Sequence, residues 1–329
     1  MTEQQPESVF QNRTDLTALS EAVARIRAEI AKVIVGQTAM VDQLIAALLS
    51  NGHVLIEGVP GVAKTLTAKL MARSMAIPFS RIQFTPDLMP SDVLGTSVFN
   101  PRDVRFDFRQ GPIFSGIVLI DEINRSPAKT QSALFEVMEE RQVTIDGSTY
   151  PMHKPFMVLA TQNPVEHEGT YRLPEAQLDR FLFKINVPYP TLEEEVKILE
   201  EHHKLRSNNL IDSIQQVLNS EQIIYLQELI RGIHVEEKLI RFIADIITST
   251  RDNRSIFLGA SPRASVAVLQ ASKAFAAMQG RDFVTPEDII YIIPPVLRHR
   301  IILTPEKEME GISTDTVIAQ LISASEIPR

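Results

Sequence analysis

Over residues 16–32 the apolar side chains Leu19, Val23, Ile26 and Ile30 recur at helical spacing, with polar residues between them. This predicts an amphipathic helix. A second helix is expected over 37–49, after the loop Val35-Gly36, and the run HVLIEG then reads as a buried strand entering a turn at Gly58. Short apolar runs of the same kind, FSRIQF, GIVLID and FMVLAT, recur between helical or loop segments, as a parallel sheet with crossover helices requires. The first half is therefore α/β. Two stretches break the alternation. Residues 96–110 hold two strand-like pieces around Asn100-Pro101-Arg102-Asp103, and residues 142–153 place two more around Asp146-Gly147, a tight-turn signal. Both predict projecting hairpins. Beyond Pro188-Tyr189-Pro190 the pattern changes to helices only. A capping box opens one helix at Thr191, others begin near Ser220 and Val235, and Ser261-Pro262 and Thr285-Pro286 each pair an N-cap with a proline at the first helical position.

A length of 329 residues fits two domains, and 44% hydrophobic with 22% charged residues is ample for a buried core. The division expected is a tail over 1–15, an α/β core over 16–190 and a helical domain over 191–329. The absence of cysteine excludes disulfides, thiolate metal sites and cysteine nucleophiles, and suits a reducing cytoplasm. The opening MTEQQPESVFQNRTD has no basic or apolar region of a signal peptide, and no apolar run nears the roughly 20 residues that span a bilayer. A net charge of −8 argues against a broad nucleic-acid surface while leaving a local basic groove open.

The chemistry concentrates in a few segments. GVPGVAKT (Gly58, Val59, Pro60, Gly61, Val62, Ala63, Lys64, Thr65) lies between a predicted strand and a predicted helix. A phosphate loop belongs there: backbone N–H groups and a helix N-terminus face the anion, Lys64 reaches the β and γ phosphates, and Thr65 binds Mg²⁺. Ala63 stands where the general pattern has glycine, which is tolerable if its φ is negative. GIVLIDEI ends a strand in Asp121, suited to a Mg²⁺ shell, and Glu122, suited to polarising an attacking water; the pair points to hydrolysis. Asn163 ends a further strand, where it could orient that water. Arg180 closes the segment LPEAQLDRF, and Arg263 sits in a helix's first turn, where it opposes the macrodipole and needs a partner such as a phosphate.

In this order GVPGVAKT, LIDEINRSPAKTQSALFEVMEE, ATQNP, LPEAQLDRF and SPRA resemble the MoxR family of AAA+ ATPases, from about Leu16 onward. The family carries alanine at the position of Ala63. The resemblance implies a five-stranded core and a helical lid in a ring, usually hexameric, with ATP between subunits. It makes Lys64 and Thr65 the Walker A residues, Asp121 and Glu122 Walker B, Asn163 sensor 1, Arg180 the arginine finger and Arg263 sensor 2. Arg125 and Arg172 are rivals for the trans contact. Val35-Gly36-Gln37 resembles the adenine-side contact, 96–110 the helix-2 insert and 142–153 the pre-sensor-1 hairpin; in related ATPases such hairpins line the pore. The implied function is a chaperone-like remodeller of client proteins working with a von Willebrand factor A domain partner in the cytoplasm. A chelatase motor subunit and a nucleic-acid-dependent ATPase share the architecture. The second hairpin, with only Tyr150, His153 and Lys154, is thin for tracking phosphates.

Overall fold

A computed structural model of the chain describes residues 15–163, 171, 173–204 and 210–328. Apart from Asp15, the expected tail lies outside these residues, as does Arg172. Along the chain β1 (Val54–Gly58) and β2 (Phe79–Gln83) are followed by a hairpin of β3 (Gly95–Asn100) and β4 (Arg105–Gln110) and then by β5 (Ile117–Asp121). A second hairpin, β6 (Gln142–Ile145) and β7 (Ser148–Pro151), precedes β8 (Met157–Gln162) and β9 (Phe183–Val187). Five of these strands form one parallel sheet in the order β2-β5-β8-β1-β9.

Because side chains alternate across a strand, each strand feeds both faces of the sheet. Ile117, Leu119, Met157 and Leu159 enter one apolar cluster with α1 (Thr17–Ala31), α2 (Thr38–Leu49) and α3 (Lys64–Ser74). Val118, Ile120, Val158 and Ala160 enter a second with α4 (Pro90–Leu94) and α5 (Ala128–Glu140). Burial on both faces is why these strands read as unbroken apolar runs. The edge strand β9, which follows α6 (Glu175–Leu178), has no such run: Lys184 interrupts it, and its ammonium lies 2.8 Å from Glu57 on β1.

The helical half comprises α7 (Leu192–Lys204), α8 (Ser220–Arg231), α9 (Glu237–Ser249), α10 (Pro262–Met278), α11 (Pro286–Leu297), α12 (Pro305–Met309) and α13 (Thr314–Ala324). The box at Thr191 forms: its N–H donates to Glu194 at 2.8 Å, and the Glu194 N–H donates to the Thr191 hydroxyl at 3.3 Å. Alanines 264, 267, 271 and 274 let α10 approach its neighbours closely, so the first apolar cluster runs on from α1 and α2 into α8–α11. The expectation of helices only needs one correction. Ile256–Leu258 pairs antiparallel with Ile302–Leu303, two pieces too short for a periodic signal.

Both hairpins form. Asp146 (φ 51°) and Gly147 (φ 78°) make the second turn, with the positive φ values that right-twisted strands favour. The hairpins touch each other through Ser97, which donates to Asp146 at 2.5 Å, and through the rings of Phe108 and Tyr150, 4.4 Å apart. Among the described residues no helix is long and apolar enough to cross a membrane.

Candidate functional site

The C-terminal ends of parallel strands form the edge where open α/β sheets bind ligands. Here β1 ends at Gly58, whose added Cβ would meet the Val187 carbonyl of β9 at 3.0 Å, and the chain turns through 59–63 into α3. Gly61 (φ +89°) faces open space. Ala63 has φ 60°, so the negative φ at which a methyl group is tolerated without cost is not adopted: the alanine occupies the left-handed region normally left to glycine, at a cost of about 1–2 kcal/mol. The Lys64 ammonium folds back over the loop and donates to the Gly58 carbonyl at 2.5 Å. Burial holds its pKa below the usual lysine value, against the pull of Asp121, Glu122 and Glu57.

β5 delivers the acids to the same edge. Asp121 is buried and pairs in register with Gln83 of β2. One of its oxygens accepts from Thr161 at 3.0 Å; the other accepts from Arg81 at 2.6 Å and from Thr65 at 3.4 Å. Glu122 sits in the left-handed region (φ 57°) as the chain leaves the strand, and its N–H donates to the Thr161 hydroxyl at 3.1 Å. Its carboxylate accepts from Gln83 at 2.8 Å and pairs with Arg125 at 3.1 Å. Arg125 apart, these side chains line a cavity of about 360 Å³ against the loop, together with Asn163. Thr65 and Asp121 offer it hard oxygen donors of the kind Mg²⁺ takes.

Arg81, Gln83 and Thr161 were not singled out from the sequence. The available signal was period two: Arg81 and Gln83 are the polar positions of one face of FSRIQF, beside the strand that carries the acids.

Arg180 and Arg263 lie elsewhere. Both pair with Glu139 at the end of α5, at 3.5 and 3.2 Å, and both line a separate cavity of about 560 Å³ between α5 and α10. Arg180 also donates to the Phe135 carbonyl at 2.6 Å. The Arg263 guanidinium turns to Glu139 and not to the phosphate loop of its own chain. Asp179 anchors this region, accepting from Arg300 at 2.7 Å and from Ser261 at 3.2 Å. At the cavity floor His53 is buried between the Met138 carbonyl (3.1 Å) and the Val158 N–H (2.9 Å). Burial and the charge of Arg141 lower its pKa to about 3.

The third place singled out from the sequence is an apolar recess of about 260 Å³ lined by Ile30, Ile34, Gly36 and Val41, beside the half-buried Val35. Gly36 (φ +69°) packs against the Glu194 carboxylate so closely that a Cβ would collide with it. Arg125, a rival for the trans contact, is committed to Glu122.

Residues 53–183 match the ATPase family associated with various cellular activities (AAA), and residues 248–321 match the AAA lid domain. The chain is 45% identical to Chaperone MoxR1 of Mycobacterium tuberculosis, over 95% of this chain and 84% of that protein. It is 31% identical to Protein MoxR of Methylorubrum extorquens, over 89% and 91%. A solved structure from Cytophaga hutchinsonii superposes with a TM-score of 0.88 at 41% identity, over 95% of this chain and 97% of that one.

Proposed function

The chain belongs to the MoxR family of AAA ATPases, and we propose that it hydrolyses ATP in a homo-oligomeric ring, most simply a hexamer, to remodel client proteins. One observation carries this reading: the open loop, Lys64, Thr65, Asp121 and Glu122 converge on one cavity at the strand ends. In it the backbone of 58–63 would cradle the phosphates, Lys64 would exchange the Gly58 carbonyl for the β and γ oxygens, and Thr65 and Asp121 would hold Mg²⁺. Bound there, Mg²⁺ would supply charge neutralisation to the phosphates. Glu122 accepts a proton from the attacking water, which Asn163 helps to orient, and Val35-Gly36 contacts the base.

Arg180 and Arg263 act on a neighbouring subunit's nucleotide. Their shared tie to Glu139, in a cavity apart from their own phosphate loop, supports a trans role for both. The core runs over 16–190 and the lid over 191–329, with the two hairpins facing the pore. A von Willebrand factor A domain partner and a cytoplasmic setting complete the proposal, on the strength of the family resemblance.

Nucleotide binding and turnover by two variants test the assignment. Lys64→Ala loses affinity for nucleotide, because the ammonium compensates phosphate charge in the ground state. Glu122→Gln keeps affinity and loses turnover, by about 10²–10⁴ for a general base. Equal nucleotide binding by Lys64→Ala and wild type would remove the phosphate-loop assignment.

A further inference from the structure

The two acids at the strand ends are both held by side chains from β2. Arg81 donates through Nε to Asp121 Oδ2 at 2.6 Å and through a terminal nitrogen to Gln83 at 3.3 Å, while Gln83 donates to Glu122 at 2.8 Å. The oxygen Arg81 grips is the one that accepts from Thr65 at 3.4 Å. It is therefore the Asp121 oxygen nearest to the hydroxyl expected to share a divalent cation. A metal ligated at about 2.0–2.1 Å there and a guanidinium at hydrogen-bond distance would place like charges side by side, and the two repel strongly in a partly buried site.

Arg81 has the build of a side chain that can leave. Its side chain is 53% exposed, against 10% for Asp121, so the carboxylate is fixed in the fold and the guanidinium reaches to it from the rim. Without Arg81 the Asp121 charge would stand next to the loop that must accept phosphates, and Lys64, turned to the Gly58 carbonyl, makes no hydrogen bond to it among the described contacts.

The geometry points to Arg81 as a positioning residue that acts as a placeholder for the metal: it neutralises Asp121 while no divalent cation is bound and yields the Oδ2 position when one arrives. This rests on the reading of the cavity as an Mg²⁺-nucleotide site. It adds an ordered exchange of cations, with β2 as the element that carries the departing charge.

The test is the affinity of full-length protein for a fluorescent ATP analogue, measured in EDTA and again in excess Mg²⁺, for wild type, Arg81→Ala and Arg81→Lys. Removing the placeholder exposes Asp121 only when metal is absent. Arg81→Ala should weaken binding at least about tenfold in EDTA, within the range of about fivefold in water to about 10³-fold near a protein surface for one uncompensated charge about 4 Å away, and change it less than about twofold in Mg²⁺. Arg81→Lys, which keeps the charge, should recover most of the loss in EDTA. General damage to the strand would weaken both media alike. Equal weakening in both, or no change in EDTA, overturns the proposal. A wild type that binds the analogue in neither medium overturns the nucleotide-site reading itself, and the proposal with it.

Discussion

The cavity at the strand ends and the cavity between α5 and α10 are built on different charge plans. In the first, Asp121 and Glu122 are answered by Lys64, Arg81, Gln83 and Arg125, all within reach on the same chain. In the second, Arg141, Arg180, Arg263 and Arg300 face only Glu139 and Asp179 among the described lining residues. The first is furnished to receive phosphates and a metal. The second holds a surplus of guanidinium, which under the proposed trans role would meet a phosphate carried by a neighbouring subunit. In the ring proposed above, the first cavity of one copy would lie against the second cavity of the next.

The largest effect expected of breaking this complementarity comes from Arg180→Ala. An arginine finger is worth about 10³–10⁵ in rate where such fingers are used, so the variant should bind ATP as wild type does and hydrolyse it at least about 10³-fold more slowly. Mixing it with Lys64→Ala should restore part of the activity, at interfaces where an intact loop meets an intact Arg180. Mixed rings that stay inactive at every ratio would show that the second cavity is not the first one's complement.

Next in size is acid sensitivity, which belongs to the second region. His53 titrates at about 3 in the folded chain, and burial beside Arg300 lowers His299 well below its ordinary value too. Unfolded, each takes up a proton near pH 6.5. Below that pH the unfolded state binds more protons, so stability is lost as pH falls from about 6.5 toward the folded values. The loss at pH 5.5 is about 1.4 kcal/mol for His53, and His299 adds to it in the same direction. Urea unfolding at pH 7.5 and 5.5 should show it, and His53→Gln should remove one share; an unchanged difference in that variant would place the sensitivity elsewhere.

Smaller again is the effect of Glu139. Arg180 keeps its bond to the Phe135 carbonyl when this carboxylate is lost, whereas Glu139 is the one carboxylate paired with Arg263 among the described residues. Glu139→Gln should therefore cost about 1 kcal/mol of alignment, roughly fivefold in turnover, and behave like a mild Arg263→Ala. Turnover as low as that of Arg180→Ala would mean that Glu139 positions both arginines.

The two regions also differ in how legible they were. The phosphate loop, Asp121, Glu122 and the central strands announce themselves because they are local: a glycine-containing turn between strand and helix, and apolar runs buried on both faces. The edge strand β9 was obscured by Lys184, whose partner Glu57 lies on β1, far away in sequence. Arg81 and Thr161 escaped notice for a similar reason, since their roles exist only once β2, β5 and β8 lie side by side. The pairing of Arg180 and Arg263 on Glu139 joins three distant segments, and no spacing in the chain encodes it. Motif order could say that both arginines matter. Only packing says which way they face.

The smallest effect sharpens the comparison at the level of the backbone, because each cavity contains non-glycine residues in the left-handed region: Ala63 (φ 60°) and Glu122 (φ 57°) in the first, Asn51 (φ 56°) and Arg141 (φ 53°) in the second. Arg141 has side-chain work that holds it there, donating to the carbonyls of Asn51 at 2.5 Å and Phe156 at 3.2 Å. Ala63 offers only a methyl group resting on the core. Relief of its left-handed strain is worth about 1–2 kcal/mol, and glycine gives back about 0.4–1 kcal/mol through the freer unfolded chain. With the lost methyl contact, Ala63→Gly should stabilise the chain by about 0.5 kcal/mol and leave nucleotide affinity within twofold, since the backbone N–H groups stay where they are. Urea midpoints and a nucleotide titration measure both. A loss of stability on Ala63→Gly would mean that the methyl contact outweighs the strain, and that alanine at this turn is a packing choice.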